Sequence, residues 1–197
     1  ITQMVAAALV QLLTSKIPSI DDDGEDGSDD ADNNSNIQLI DREWDSISII
    51  GCTGLGTPDS ELFKALSVGL CNCNSVLLNH NNIKYHGLAS LGDFLRSNSS
   101  LQSLHLKREN LKGNGACLFF EGLRYNKHLE ELVLNFCRFD DEGVDAFASA
   151  LARNSTLKTL DLGACYLPDH HVHKILKALV GHRKLEELVL TLNACHV

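Results

Sequence analysis

Residues 129–139 read LEELVLNFCRF. Leu129, Leu132 and Leu134 keep an L-x-x-L-x-L spacing, Cys137 follows three residues after the last leucine, and Phe139 closes the stretch. Its L-x-L part alternates with period two, as a half-buried strand does. Outward from this point the pattern returns at a step of 28 residues, as Leu101/Leu104/Leu106, Leu157/Leu160/Leu162 and Leu185/Leu188/Leu190. Further back it reads Cys73/Val76/Leu78 and then, at a step of 29, Trp44/Ile47/Ile49, with the extra residue falling between Leu66 and Cys73. A register held over six copies is not chance.

The segments between these strands repeat too. Leu62, Leu91, Phe119, Phe147 and Ile175 share one position, and Leu66, Leu95, Leu123, Leu151 and Leu179 another, four residues on. Four-residue apolar spacing marks one face of a helix. Each unit is therefore a strand, a turn and a helix, too small to bury its own apolar face. Stacked units share a continuous core, which predicts an α/β solenoid with a parallel sheet.

A third column, three residues beyond the last strand leucine, holds Cys52, Asn81, Glu109, Cys137, Cys165 and Asn193. A side chain here turns inward. Asn can bond exposed backbone groups, and Cys is small and tolerates burial. Glu109 breaks the column; a buried carboxylate needs a partner, so the expectation is that it turns outward and alters its turn. Leu55, Ile83, Leu111, Phe139 and Leu167 close each turn. Pro58 and Pro168 suit helix openings, and Asp59, Asp141 and Asp169 suit caps or first turns.

These units, with LKTLDLGACYL (157–167) and LEELVLNFCRF as the clearest copies, resemble the ribonuclease-inhibitor-like class of leucine-rich repeats over residues 44–195. The resemblance implies a right-handed horseshoe with its parallel sheet on the concave face and its helices on the convex face. It implies a cytoplasmic or nuclear protein that binds other proteins. Regulation of a small GTPase, as by the Ran GTPase-activating protein, and service as the sensor part of a larger regulatory protein are the alternatives it allows.

Charge is unevenly placed. Residues 1–40 carry eight acidic residues and one lysine, net −7, out of a total of −9. The rest carries 18 acidic and 16 basic residues, net −2. A nearly neutral array lacks the basic footprint that nucleic acid requires. The apolar run MVAAALVQLL is too short to span a membrane. Three regions follow: residues 1–20, a helix that is either a cap or the remnant of an earlier repeat; an acidic, disordered insertion at 21–36; and the array, 37–197, ending before the helix its last strand calls for. Seven cysteines, an odd number, read as reduced intracellular thiols, and the C-N-C at 71–73 is too close for a zinc knuckle.

Side chains on the strand face opposite the leucines make the candidate binding surface. Its residues are Leu77, Asn79, His105, Lys107, Arg108, Glu131, Val133, Asn135, Phe136, Asp161 and Val189. Leu77, Val133, Val189 and Phe136 would supply apolar anchors on it. No catalytic set is expected: Asp161 lies two strands from His105, roughly 9–10 Å at ordinary strand spacing. No cofactor, small-molecule substrate or metal is expected either. In DHHVH, His170 and His173 with Asp169 read as surface residues, and the acidic tract lacks the glycine and final glutamate of a calcium loop.

Overall fold

A computed structural model describes residues 43–50 and 72–193. The expectations for residues 1–20 and 21–36, for Cys52, Leu55, Pro58, Asp59, Leu62 and Leu66, and for the last four residues lie outside these. Strands β1 (Glu43–Ile50), β2 (Asn72–Asn79), β3 (Ser103–His105), β5 (Glu131–Val133), β7 (Thr159–Asp161) and β8 (Glu187–Val189) form a six-stranded sheet in that order. All its pairings are parallel. Helices α1 (Tyr85–Ser97), α2 (Gly113–Tyr125), α3 (Asp141–Leu151) and α4 (Asp169–Leu179) connect strands and pack in sequence order, α1 on α2, α2 on α3, α3 on α4. Two short strands, β4 (Asn110–Leu111) and β6 (Arg138–Phe139), pair separately beyond the turns.

Register follows the sequence step. Ile47 pairs with Val76, Val76 with Leu104, Leu104 with Leu132, Leu132 with Leu160 and Leu160 with Leu188. Parallel strands need a long crossover, and the helix in each unit supplies it. The core is the layer between sheet and helices: Leu104, Leu132, Leu160, Leu91, Phe119, Phe147 and Ile175 are all fully buried. The Phe120 ring packs tilted at 4.6 Å from that of Phe147, joining α2 to α3, and at 5.0 Å from that of its neighbour Phe119.

Each described turn that follows a strand from β2 onward passes through a left-handed residue: His80, Arg108, Phe136, Ala164 and Leu192 all have φ between 56° and 61°. Such a conformation is uncommon outside glycine. Here it aims each N–H at the next unit. His80 donates to Lys107 O at 2.8 Å, Arg108 to Asn135 O at 3.0 Å, Phe136 to Gly163 O at 3.0 Å and Ala164 to Thr191 O at 2.8 Å. The inter-unit bonds offset the local strain.

The inward column forms a second ladder. Cys137 Sγ donates to Leu106 O at 2.7 Å, Cys165 Sγ to Leu134 O at 3.0 Å and Asn193 Nδ2 to Leu162 O at 2.9 Å. Glu109 does not turn outward, contrary to expectation; it is 1% exposed. The backbone N–H of Asn81 donates to its Oε1, and that of Ile83 to its Oε2 at 2.8 Å. Its turn is not altered either, since Arg108 adopts the φ of its counterparts. The expectation failed because the partner belongs to the preceding unit: a carboxylate can be buried when backbone donors converge on it. Burial nevertheless raises its pKa above the ordinary 4.5, against the lowering effect of those donors.

A third ladder ends the helices. Asn98, Asn126 and Asn154, spaced by 28, each accept two backbone N–H groups through Oδ1, Leu101 and Leu129 at 2.7 Å and Leu157 at 3.1 Å among them. Asn126 and Asn154 also donate back to Leu95 O and Leu123 O.

Candidate functional site

The sheet face opposite the core carries three columns in register. Ser75, Ser103, Glu131, Thr159 and Glu187 form the first; Leu77, His105, Val133, Asp161 and Val189 the second. Asn79, Lys107, Asn135, Gly163 and Thr191 follow as the strands end. Alternation of side chains along each strand puts these residues away from the leucines. The ladder of left-handed residues then lifts Arg108 and Phe136 outward at the strand ends.

These side chains bond along the columns. Ser103 Oγ donates to Glu131 Oε2 at 2.5 Å, and His105 Nε2 stands 3.5 Å from that oxygen without a formed hydrogen bond. Asn79 Oδ1 accepts the N–H of Lys107 at 3.0 Å, and Asp161 Oδ1 accepts that of Gly163 at 2.8 Å. Arg108 Cζ lies 5.4 Å from the ring centre of Phe136, so a cation and an aromatic face project together from adjacent units. Phe136 is 46% exposed and Tyr166 70% exposed. At Gly163 an added Cβ would stand 2.9 Å from Asn135 Nδ2 and 3.1 Å from Asp161 Oδ1, so a side chain there would push those two polar groups from their present positions.

The structure thus brings His105, Glu131, Val133 and Asp161 to neighbouring register positions, with Asn79, Lys107, Asn135, Arg108 and Phe136 beyond them. Leu77 and Val189 are partly buried and sit on strands farther out. Val133 is only 6% exposed, because His105 and Asp161 flank it in register. Its share of any contact is small, and the exposed apolar groups of this face are Phe136 at its middle with Ile50 and Leu192 toward its two ends. Tyr166 was missed by sequence reasoning; its signal was its place two residues after Ala164 in the left-handed turn ladder.

Three of the described cysteines are shifted away from thiolate chemistry. Burial pushes the Cys165 thiol up to about 12 and raises that of Cys137 further. Cys117 is raised by burial and by Glu142 and Asp140. A nucleophilic cysteine requires the opposite shift.

On the helix layer, His170, His173 and Asp169 of DHHVH are exposed, as expected. His171 between them is 7% exposed, and its Nε2 lies 2.6 Å from Asp141 Oδ1 of the preceding helix. His170 Nε2 lies 3.9 Å from the same oxygen. Asp141 is drawn below the ordinary carboxylate pKa, first by the hydrogen bond with His171 and then by the charges around it. The sequence paired His170 with His173 and Asp169; the fold pairs it with His171 and Asp141. No described helix is long and apolar enough to cross a membrane.

A family model described as a leucine-rich repeat matches residues 125–148, which span the end of α2, β5, β6 and most of α3. No curated protein matches the chain. Among solved structures, leiomodin-1 actin-binding site 2 is similar at a TM-score of 0.53 and 19% identity, covering 70% of this chain and 80% of that one. At that identity the likeness concerns the fold. The chain has a leucine-rich-repeat-like architecture, a parallel sheet alternating with helices.

Proposed function

We propose that the chain is a non-enzymatic protein-interaction module of the ribonuclease-inhibitor-like type. Its sheet lines the concave side of a right-handed horseshoe, and the partner seats against that side. The supporting observation is the arrangement at the strand ends, where Arg108 stacks on the exposed ring of Phe136 beside Lys107, Asn135 and Asn79. Such a pairing of an aromatic anchor with a cation is the usual make-up of an interface hot spot. Glu131 and Asp161 stand on the following strands in the columns before this basic pair and give the face an ordered charge pattern, which favours partner selection. The raised thiol pKa values and the long separation of His105 from Asp161 weigh against catalysis.

The test is affinity capture with wild-type chain, with Lys107→Glu/Arg108→Glu, and with Phe136→Ala. Each is also melted. Loss of captured proteins at unchanged melting temperature supports the reading; an identical capture profile refutes it. Leiomodin-1 carries an actin-binding site, so purified actin belongs among the proteins offered.

A further inference from the structure

We propose that Asp141, His170 and His171 bind a borderline divalent transition-metal ion, with zinc as the reference ion, and that the ion staples α4 to α3. The carboxylate oxygen and the two imidazole nitrogens all lie within 4.8 Å of one another. Asp141 comes from the first turn of α3, and the two histidines from the first turn of α4, so the cluster bridges two successive units.

The ligand set is the one such ions take. Imidazole nitrogen and carboxylate oxygen suit zinc, nickel and copper, and three protein ligands leave a coordination position open to solvent. Tetrahedral zinc with bonds near 2.0–2.1 Å places its ligand atoms roughly 3.3 Å apart. Here Asp141 Oδ1 stands 2.6 Å from His171 Nε2 and 3.9 Å from His170 Nε2. Shifts of about 1 Å per side chain close the difference. The side chains allow them unequally: that of His171 is 9% exposed and held, while those of His170 and Asp141 are 65% and 79% exposed and have room to move once the ion replaces the Asp141–His171 hydrogen bond. One fixed ligand and two adjustable ones can close on an ion without moving the backbone.

Two helix N-termini meet here, and their partial positive charge opposes a cation. Asp140 caps α3, Asp141 and Glu142 occupy its first turn, and Asp169 occupies that of α4, so carboxylates offset both ends. The neighbouring ammonium of Lys174 is paired with Asp145 at 2.5 Å.

The experiment titrates zinc into chelator-stripped chain, by calorimetry and by thermal melting, for wild type, Asp141→Asn, His170→Ala and His173→Ala. His173 is exposed and outside the cluster, so it controls for the many other imidazoles and thiols. Asp141 and His170 are exposed, and matching melts in chelator verify that their variants fold. The expected result is one equivalent bound at micromolar zinc, with a rise in melting temperature. Asp141→Asn and His170→Ala should lose at least about 100-fold in affinity, beyond the effect of an outer-shell change. His173→Ala should match wild type. Absence of a one-equivalent event overturns the proposal, as does binding that survives in both Asp141→Asn and His170→Ala.

Discussion

Replacing Glu109 by asparagine should leave the chain as stable as wild type or more so, whereas replacing it by alanine should destabilise it. Glu109 satisfies the N–H groups of Asn81 and Ile83, and it is 1% exposed. Alanine strands both buried donors, at about 1–3 kcal/mol each. Both variants lose the buried charge and asparagine keeps one of the two acceptor contacts, so Glu109→Ala should fall about 1–3 kcal/mol below Glu109→Asn. Asparagine already works at the equivalent place: Asn193 accepts the N–H of Leu167 at 3.1 Å and donates to Leu162 O at 2.9 Å. At 109 the same amide would accept from Ile83 and remove a charge from the core. The pH dependence gives a second reading. Burial raises the folded-state pKa of Glu109 above 4.5. Between the two values the folded chain holds more protons than the unfolded one. Its contribution is therefore fully present below the unfolded value and lost as pH rises through the folded one. Urea unfolding between about pH 7 and pH 4.5 should show Glu109→Asn ahead at neutral pH, with the gap closing on acidification. Equal destabilisation by asparagine and alanine, or a gap independent of pH, would refute the reasoning.

Leu132→Ala removes a fully buried side chain from the middle of the sheet and should cost about 2–5 kcal/mol by urea denaturation. Gly122→Ala should cost about 1–3 kcal/mol or more, because its Cβ would run into the backbone of Gly92 where α1 crosses α2. Gly113→Ala has nothing within 4 Å of its Cβ and pays only for φ of 58°, about 1–2 kcal/mol. Thermal melts of the two glycine variants should keep that order. Asn126→Ala removes two acceptor contacts and a buried donor bond to Leu95 O. It should lower stability by about 2 kcal/mol or more.

The repeat was legible because a parallel array obliges the same apolar positions to recur, and a step of 28 carries strand register with it. Cys137 and Cys165 were readable as inward spacers for the same reason. Glu109 was not, because its partners are main-chain donors of the preceding unit, and sequence does not display main-chain N–H groups. The contact of His171 was hidden in the same way: it stands where other units have glycine, and its partner Asp141 comes from the previous helix. The Asn98, Asn126 and Asn154 ladder was present at the repeat step, but asparagine in a helix-ending loop reads as ordinary turn chemistry. Val133 shows the limit for the candidate face. Alternation assigned its side correctly, while its burial depended on the width of His105 and Asp161 beside it.

Site-specific photo-crosslinking addresses the partner-binding face most directly. A photoreactive residue is placed at Leu77, Lys107 or Phe136 on the sheet side, and at Glu121 or Ser149, both exposed, on the helix side. If the partner seats against the sheet, it is captured from positions 77, 107 and 136 and not from 121 or 149. Capture confined to 121 and 149 would place the partner on the helices and contradict the proposed mode of binding.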